Sequence, residues 1–149
     1  MGLCASHLDA MGVLVFGFTG VVLFGESLVQ GMRIQGENTV VGVLNYLSIH
    51  QKTNDTRFSS VVAEYDDKGA HIFRVLNASD AFEEPLFCII GSGVQSGAPF
   101  LETRHRFVIL SDTACEIVLL AICYVTRFDE CMGGCAKAIH FNQNGDITI

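Results

Sequence analysis

Apolar residues recur along this chain with different periods, and each period predicts a different element. From Val13 to Phe18 they run almost unbroken between Gly12 and Thr19-Gly20, as in a short buried strand entering a glycine turn. The spacing then lengthens. Val21, Phe24, Leu28 and Met32 recur at helical intervals, with Val22 and Val29 beside them, which predicts an amphipathic helix ending near Gly36. Gly25 and Gly31 each weaken that helix by ~1 kcal/mol relative to alanine. A second helix, capped by Asn38 or Thr39, carries Val40, Val43, Leu44 and Leu47 and ends in the polar stretch from Gln51 to Thr56. There a protonated His50 would sit favourably at the negative pole of the helix.

Period-two alternation follows. Phe58 to Tyr65 reads as a strand, Asp66-Asp67-Lys68-Gly69 as a turn, and Ala70 to Leu76 as a second strand with Ile72 and Arg74 facing away from His71 and Phe73. Asn77 to Asp80 supplies another turn. The continuous apolar run Leu86 to Ile90 predicts a central strand buried on both faces. After Gly91-Ser92-Gly93 a less regular helix is expected from Gln95 to Arg106, with Pro99 in its first turn or breaking it. Ser111 or Thr113 would cap the last helix, Thr113 and Glu116 forming a capping box. Ile117 to Val125 is apolar all round, so that helix should be covered by the sheet on one side and by something else on the other. Cys135 to Phe141 alternates as a strand, Asn142 to Gly145 turns, and Ile147 to Ile149 returns.

The 149 residues, half of them apolar, fit one domain with a substantial core; residues 1–11 carry no assigned element. Nine Lys+Arg against sixteen Asp+Glu give a net charge of −7, which would repel phosphate backbones, and nucleic-acid binding is not expected. Of the six cysteines, Cys88 in Leu-Phe-Cys-Ile-Ile and Cys123 in Ala-Ile-Cys-Tyr-Val read as small buried hydrophobes. That usage fits a reducing compartment, the cytoplasm, with the nucleus as a second location. Gly12 to Phe24 is too short and too interrupted by Gly17, Thr19 and Gly20 to span a bilayer, which takes about 20 residues. Met1-Gly2-Leu3-Cys4-Ala5-Ser6 matches an N-myristoylation pattern with Cys4 as a palmitoyl site, but no polybasic segment supports it.

Four blocks in order resemble the proteasome β-subunit family. They are Val13 to Gly20 before a long helix, the Asp66-Asp67-Lys68-Gly69-Ala70-His71-Ile72-Phe73 hairpin, Gly91-Ser92-Gly93, and Asp129 followed by Gly133-Gly134 after a helix carrying Ala121-Ile122 and Thr126. The resemblance covers the chain from Gly12 onward. It implies an α+β fold, the four-layer αββα sandwich of N-terminal-nucleophile hydrolases, here expected to lack the first strands.

The resemblance also implies site residues. Ser92 matches the serine beside the nucleophile's free amine, Asp129 the aspartate that orients that serine and amine, and Gly133 the first of the glycine pair after it. At Met132, active members carry a serine, and a thioether cannot donate the hydrogen bond that a serine would. The family's nucleophile is an N-terminal threonine, held by an aspartate and a lysine on the following strands. The lysines here are Lys52, Lys68 and Lys137, all after the first predicted helix. No catalytic set is intact, and Ser92, Asp129 and Gly133 read as inherited positions.

Other constellations are weaker. Cys131-x-x-x-Cys135 with His140 is too loosely spaced for a zinc site and lacks a fourth ligand, so no metal is expected. Gly91 to Gly97 lacks the Lys-Ser/Thr ending of a phosphate loop, and no cofactor is expected. Arg104-His105-Arg106 reads as a solvated helix end. Asn54-Asp55-Thr56 and Asn77-Ala78-Ser79 are glycosylation sequons that matter only in a secreted protein. Three functional readings follow: a non-catalytic, N-terminally truncated proteasome β-type subunit whose partners are other subunits or copies of itself; a lipid-anchored binding module; and a hydrolase with an unrecognised nucleophile.

Overall fold

A computed structural model describes residues 2–9, 12–20, 22–37, 39–51, 58–76, 80–104, 110–130, 140–141 and 147–148. The elements are β1 (Gly2–Asp9), β2 (Gly12–Thr19), α1 (Val22–Ile34), α2 (Val40–His50), β3 (Ser59–Asp66), β4 (Gly69–Leu76), β5 (Asp80–Glu83), α3 (Val94–Arg104), α4 (Ser111–Val125), β6 (His140–Phe141) and β7 (Ile147–Thr148). The first five strands form one antiparallel sheet in chain order, and β6 pairs with β7 in a second, small sheet. Two sheets and two helix pairs are the parts of the expected sandwich. Residues 2–9, given no element from sequence, are the edge strand β1, with Gly2 opposite Phe18 and Asp9 opposite Gly12.

Alternation along β2 puts Leu14, Phe16 and Phe18 on one face, where they are buried with Leu28, Val29 and Met32 of α1 and Val40, Val43, Tyr46 and Leu47 of α2. Register carries that face across the sheet, Phe16 opposite Val62 and Val62 opposite Phe73. The glycines that weaken α1 by propensity are its contact points. A Cβ on Gly25 would collide with the Phe18 ring, and one on Gly31 with the Tyr46 hydroxyl, so the missing side chains let α1 lie close to β2 and α2. Thr39 is the N-cap of α2, accepting from the Gly42 N–H at 3.1 Å. At the other end Gln51, expected in a polar stretch, is wholly buried. Its Nε2 donates to the Val75 carbonyl at 3.2 Å while the Ser60 hydroxyl donates to its Oε1 at 2.5 Å, tying α2 to β3 and β4.

Four expectations fail, each for a local reason. Leu86 to Ile90 is not a strand; it is irregular and mostly half-buried, and the strand on the β4 edge is β5, which begins at Asp80, the last residue of the expected turn, and covers residues given no element from sequence. The Glu84 N–H still donates to the Ile72 carbonyl at 2.8 Å, but Pro85 has no N–H to offer and the ladder stops. Pro99 lies inside α3, neither in its first turn nor breaking it. It deprives only the carbonyl of Gln95, an exposed residue that water can reach. Neither Ser111 nor Thr113 caps α4: the N-cap is Leu110, with no side-chain hydrogen bond, so the Thr113–Glu116 box does not form, and Asp112 supplies negative charge in the first turn instead. Finally α4 is covered on one side only. Ala121 and Val125 are buried, whereas Val118, Leu120, Tyr124 and the expected core residue Cys123 are exposed.

Candidate functional site

β2 ends at Thr19, which faces away from α1 and α2 and is nevertheless buried. What meets it is the turn before α3. Gly91 has φ +99°, a left-handed conformation, and a Cβ there would stand 3.1 Å from Thr19 Oγ1, so glycine permits both the turn and the approach. Ser92 follows, exposed in the turn, and Gly93 is buried, its carbonyl accepting from the Gly97 N–H at 2.9 Å in the first turn of α3.

α3 and α4 pack antiparallel. A Cβ on Gly97, near the start of α3, would lie 3.2 Å from Val125 at the end of α4, and Phe100 stacks on Tyr124 with centroids 4.9 Å apart. Asp129 lies just beyond α4, half-buried, its N–H donating to the Val125 carbonyl at 3.1 Å. Ser92 and Asp129 are thereby brought to the same end of the helix pair. Met132, Gly133 and Gly134 lie outside the described residues, as do Lys52 and Lys137. Lys68 sits in the β3–β4 turn, at the opposite end of β3 from the Thr19–Ser59 pair, about 23 Å away at ~3.3 Å per strand residue. It cannot serve the Ser92 end.

A second polar cluster was not foreseen. His71 Nδ1 is 2.8 Å from Glu83 Oε1 on β5, and its Nε2 is in ion-pair contact with Asp66 Oδ1 at 3.3 Å. The hydrogen bond to Glu83 holds the His71 pKa above its ordinary value. Asp66 is held below the usual carboxylate range, first by the Lys68 N–H, which donates to its Oδ1 at 2.7 Å. Glu64, opposite His71, is raised by burial and then by Asp66. The period-two pattern placed His71 and Glu64 on strands; it held no signal that Glu83 would be on a neighbouring one. Across β4, Arg74 pairs with Glu84 at 2.9 Å. Nearby Cys88 has its thiol pushed up to about 11, chiefly by burial, which leaves it a poor nucleophile.

The cluster clamps β5 and the hairpin turn to β4. Among the described residues no group of three or more His, Cys, Asp or Glu side chains is arranged to hold a metal ion, and of the Cys131, Cys135 and His140 set only His140 is described. No described helix is long and apolar enough to cross a membrane.

The fold is α+β, of N-terminal-nucleophile hydrolase type. A mutant of Anbu from Hyphomicrobium sp. strain MC1 superposes with a TM-score of 0.80 over 100% of this chain and 72% of that one, at 14% identity. In sequence, proteasome subunit pbs-5 of Caenorhabditis elegans is 30% identical over 90 residues, 60% of this chain. The matched segment spans about a third, 31%, of that relative's length. No family model matches. Together these findings support a proteasome-like relationship.

Proposed function

We propose that this chain is a proteasome β-type subunit that contributes structure rather than catalysis to a proteasome-like protein-degradation complex in the cytoplasm and nucleus, with other proteasome-type subunits as its partners. The observation that carries the reading is the docked Gly91-Ser92 turn, set against Thr19 with Asp129 at the same end of the helix pair. It is the frame beside which the family's nucleophile stands, and among the described residues no lysine lies near it. Lys68 is at the far end of the sheet, and Met132 stands where a serine would complete the network. The lipid-anchor reading draws no support, since Gly2 and Cys4 are backbone partners of Phe18 and Phe16 in the β1–β2 ladder.

The test is reactivity. Purified chain, shown to be folded by cooperative unfolding, should leave fluorogenic peptides uncut and should not be modified by threonine-directed epoxyketones or boronates. Stoichiometric modification would refute the non-catalytic assignment.

A further inference from the structure

We propose that residues 84–90 are a strap between the sheet edge and the Gly91–Ser92 turn, and that the Asp66–His71–Glu83 cluster is its proton-operated fastener, closed while His71 is protonated and loosened when it is not.

The strap is defined by its two ends. At one, the Glu84 N–H donates to the Ile72 carbonyl at 2.8 Å and the Glu84 carboxylate pairs with Arg74 at 2.9 Å. At the other, Gly91 stands against Thr19. The registers Thr19↔Ser59, Ser59↔Leu76 and Leu76↔Asp80 put Thr19 three strands across from β5 and level with Asp80. Glu84 is four residues further along, so at ~4.8 Å per strand spacing and ~3.3 Å per strand residue the two ends lie about 20 Å apart. Seven residue steps reach at most about 25 Å. Little slack is left, so freedom gained at Glu84 passes to the turn. Between the ends Ile89 packs on α3, where a Cβ on Gly97 would stand 3.1 Å from its Cδ1.

What anchors the near end is slight. β5 is four residues long and, among the described residues, pairs only with β4. Side chains add Arg74 to Glu84 on one face of the sheet and His71 to Glu83, at 2.8 Å, on the other. The second can be switched. Register puts Glu64, Asp66, His71 and Glu83 on one face, with Leu14 of β2 beside Glu64; Asp67 and Lys68 occupy the turn, and Arg74 faces away. Glu83 chiefly, and Asp66 with it, hold the His71 pKa above 6.5, so the imidazolium ties β5 to β3. A neutral ring has one N–H and no charge, and cannot serve both carboxylates. The fastening is therefore complete below 6.5 and is lost as pH rises through the folded pKa. None of this depends on the subunit assignment.

Cys88, inside the strap, is a native reporter. Half-buried, with its thiol pushed up to about 11 chiefly by burial, it should react slowly while the strap is closed. The experiment is timed alkylation of the full chain with N-ethylmaleimide across the His71 titration, read peptide by peptide as the Cys88 rate over that of Cys123, exposed on α4, with each variant's fold checked by its unfolding transition. The ratio cancels the rise in thiolate common to both. It should be flat at low pH and climb about two- to fivefold as His71 loses its proton, the size of one exposed ion pair. His71→Gln and Glu83→Gln should each hold the ratio at its upper level at every pH, whereas Glu64→Gln should keep the step. Hydrogen exchange of the Val94 amide, which donates to the Gly91 carbonyl at 3.4 Å, should quicken with the same midpoint after correction for intrinsic rates. A flat ratio in the wild type, a step that survives His71→Gln, or β5 amides that quicken while Cys88 and Val94 do not would each overturn the proposal.

Discussion

The two helix pairs of this molecule meet the solvent differently. α1 and α2 bury a continuous apolar stripe against β2, β3 and β4, down to the wholly buried Phe16, Leu47 and Val62. α3 and α4 bury mainly their contact with each other, and Val118, Leu120, Tyr124 and Phe128 remain in water. The first half owns its core. The second presents apolar surface of the kind that marks an interaction site, which is why association enters the functional reading.

Substitutions can break this contrast, and the largest effect belongs to the first half. Phe16→Ala should destabilise the chain by about 3–5 kcal/mol, the range for a large aromatic in a packed core. Leu120→Ala in dilute protein should stay within about 0.5 kcal/mol of wild type. Denaturant titrations of the two decide it; equal losses would erase the distinction. Gly25→Ala should cost about 1–3 kcal/mol by overpacking against Phe18, although alanine is the better helix former. A stabilised Gly25→Ala chain would show that α1 has room to move. Gln51→Ala should cost about 1–3 kcal/mol by leaving the Val75 carbonyl and the Ser60 hydroxyl without their buried partner.

The smallest effect is pH-dependent. Because the folded state holds the His71 pKa above the ordinary 6.5, the cluster's contribution is fully present below that value and is lost as pH rises through the folded pKa. Asp66 runs the other way, stabilising above its unfolded pKa and losing that contribution as pH falls through its depressed folded value. Amide exchange in β5 should therefore accelerate as pH rises through the His71 titration, after correction for intrinsic exchange rates, and His71→Gln should abolish the step. An unchanged step in that variant would remove His71 from the clamp.

How far the sequence could be read depended on which kind of signal placed each element. Helical and strand periods placed α1, α2, β3 and β4 because each buries one face, and burial is what writes a period. The apolar run Leu86 to Ile90 misled because burial without pairing looks the same as a buried strand until Pro85 is weighed. The capping box on α4 misled because Ser111 and Thr113 are the right residue types one and three positions too late. Gln51, at the end of α2, and Glu83, on β5, escaped notice because their partners lie on different elements, and one-dimensional patterns carry no information about contacts between elements. Of the candidate site, Ser92 and Asp129 were legible only through the family resemblance. The close approach of Gly91 to Thr19 needed three dimensions.

The central claim, a structural proteasome-type subunit, is tested most directly by native mass spectrometry of the particle that contains this chain, after treatment with a threonine-directed epoxyketone. The account predicts that the chain is found in a high-mass assembly with proteasome subunits and at its unmodified mass, while catalytic neighbours carry the adduct. A chain found alone, or one carrying the adduct itself, would contradict it.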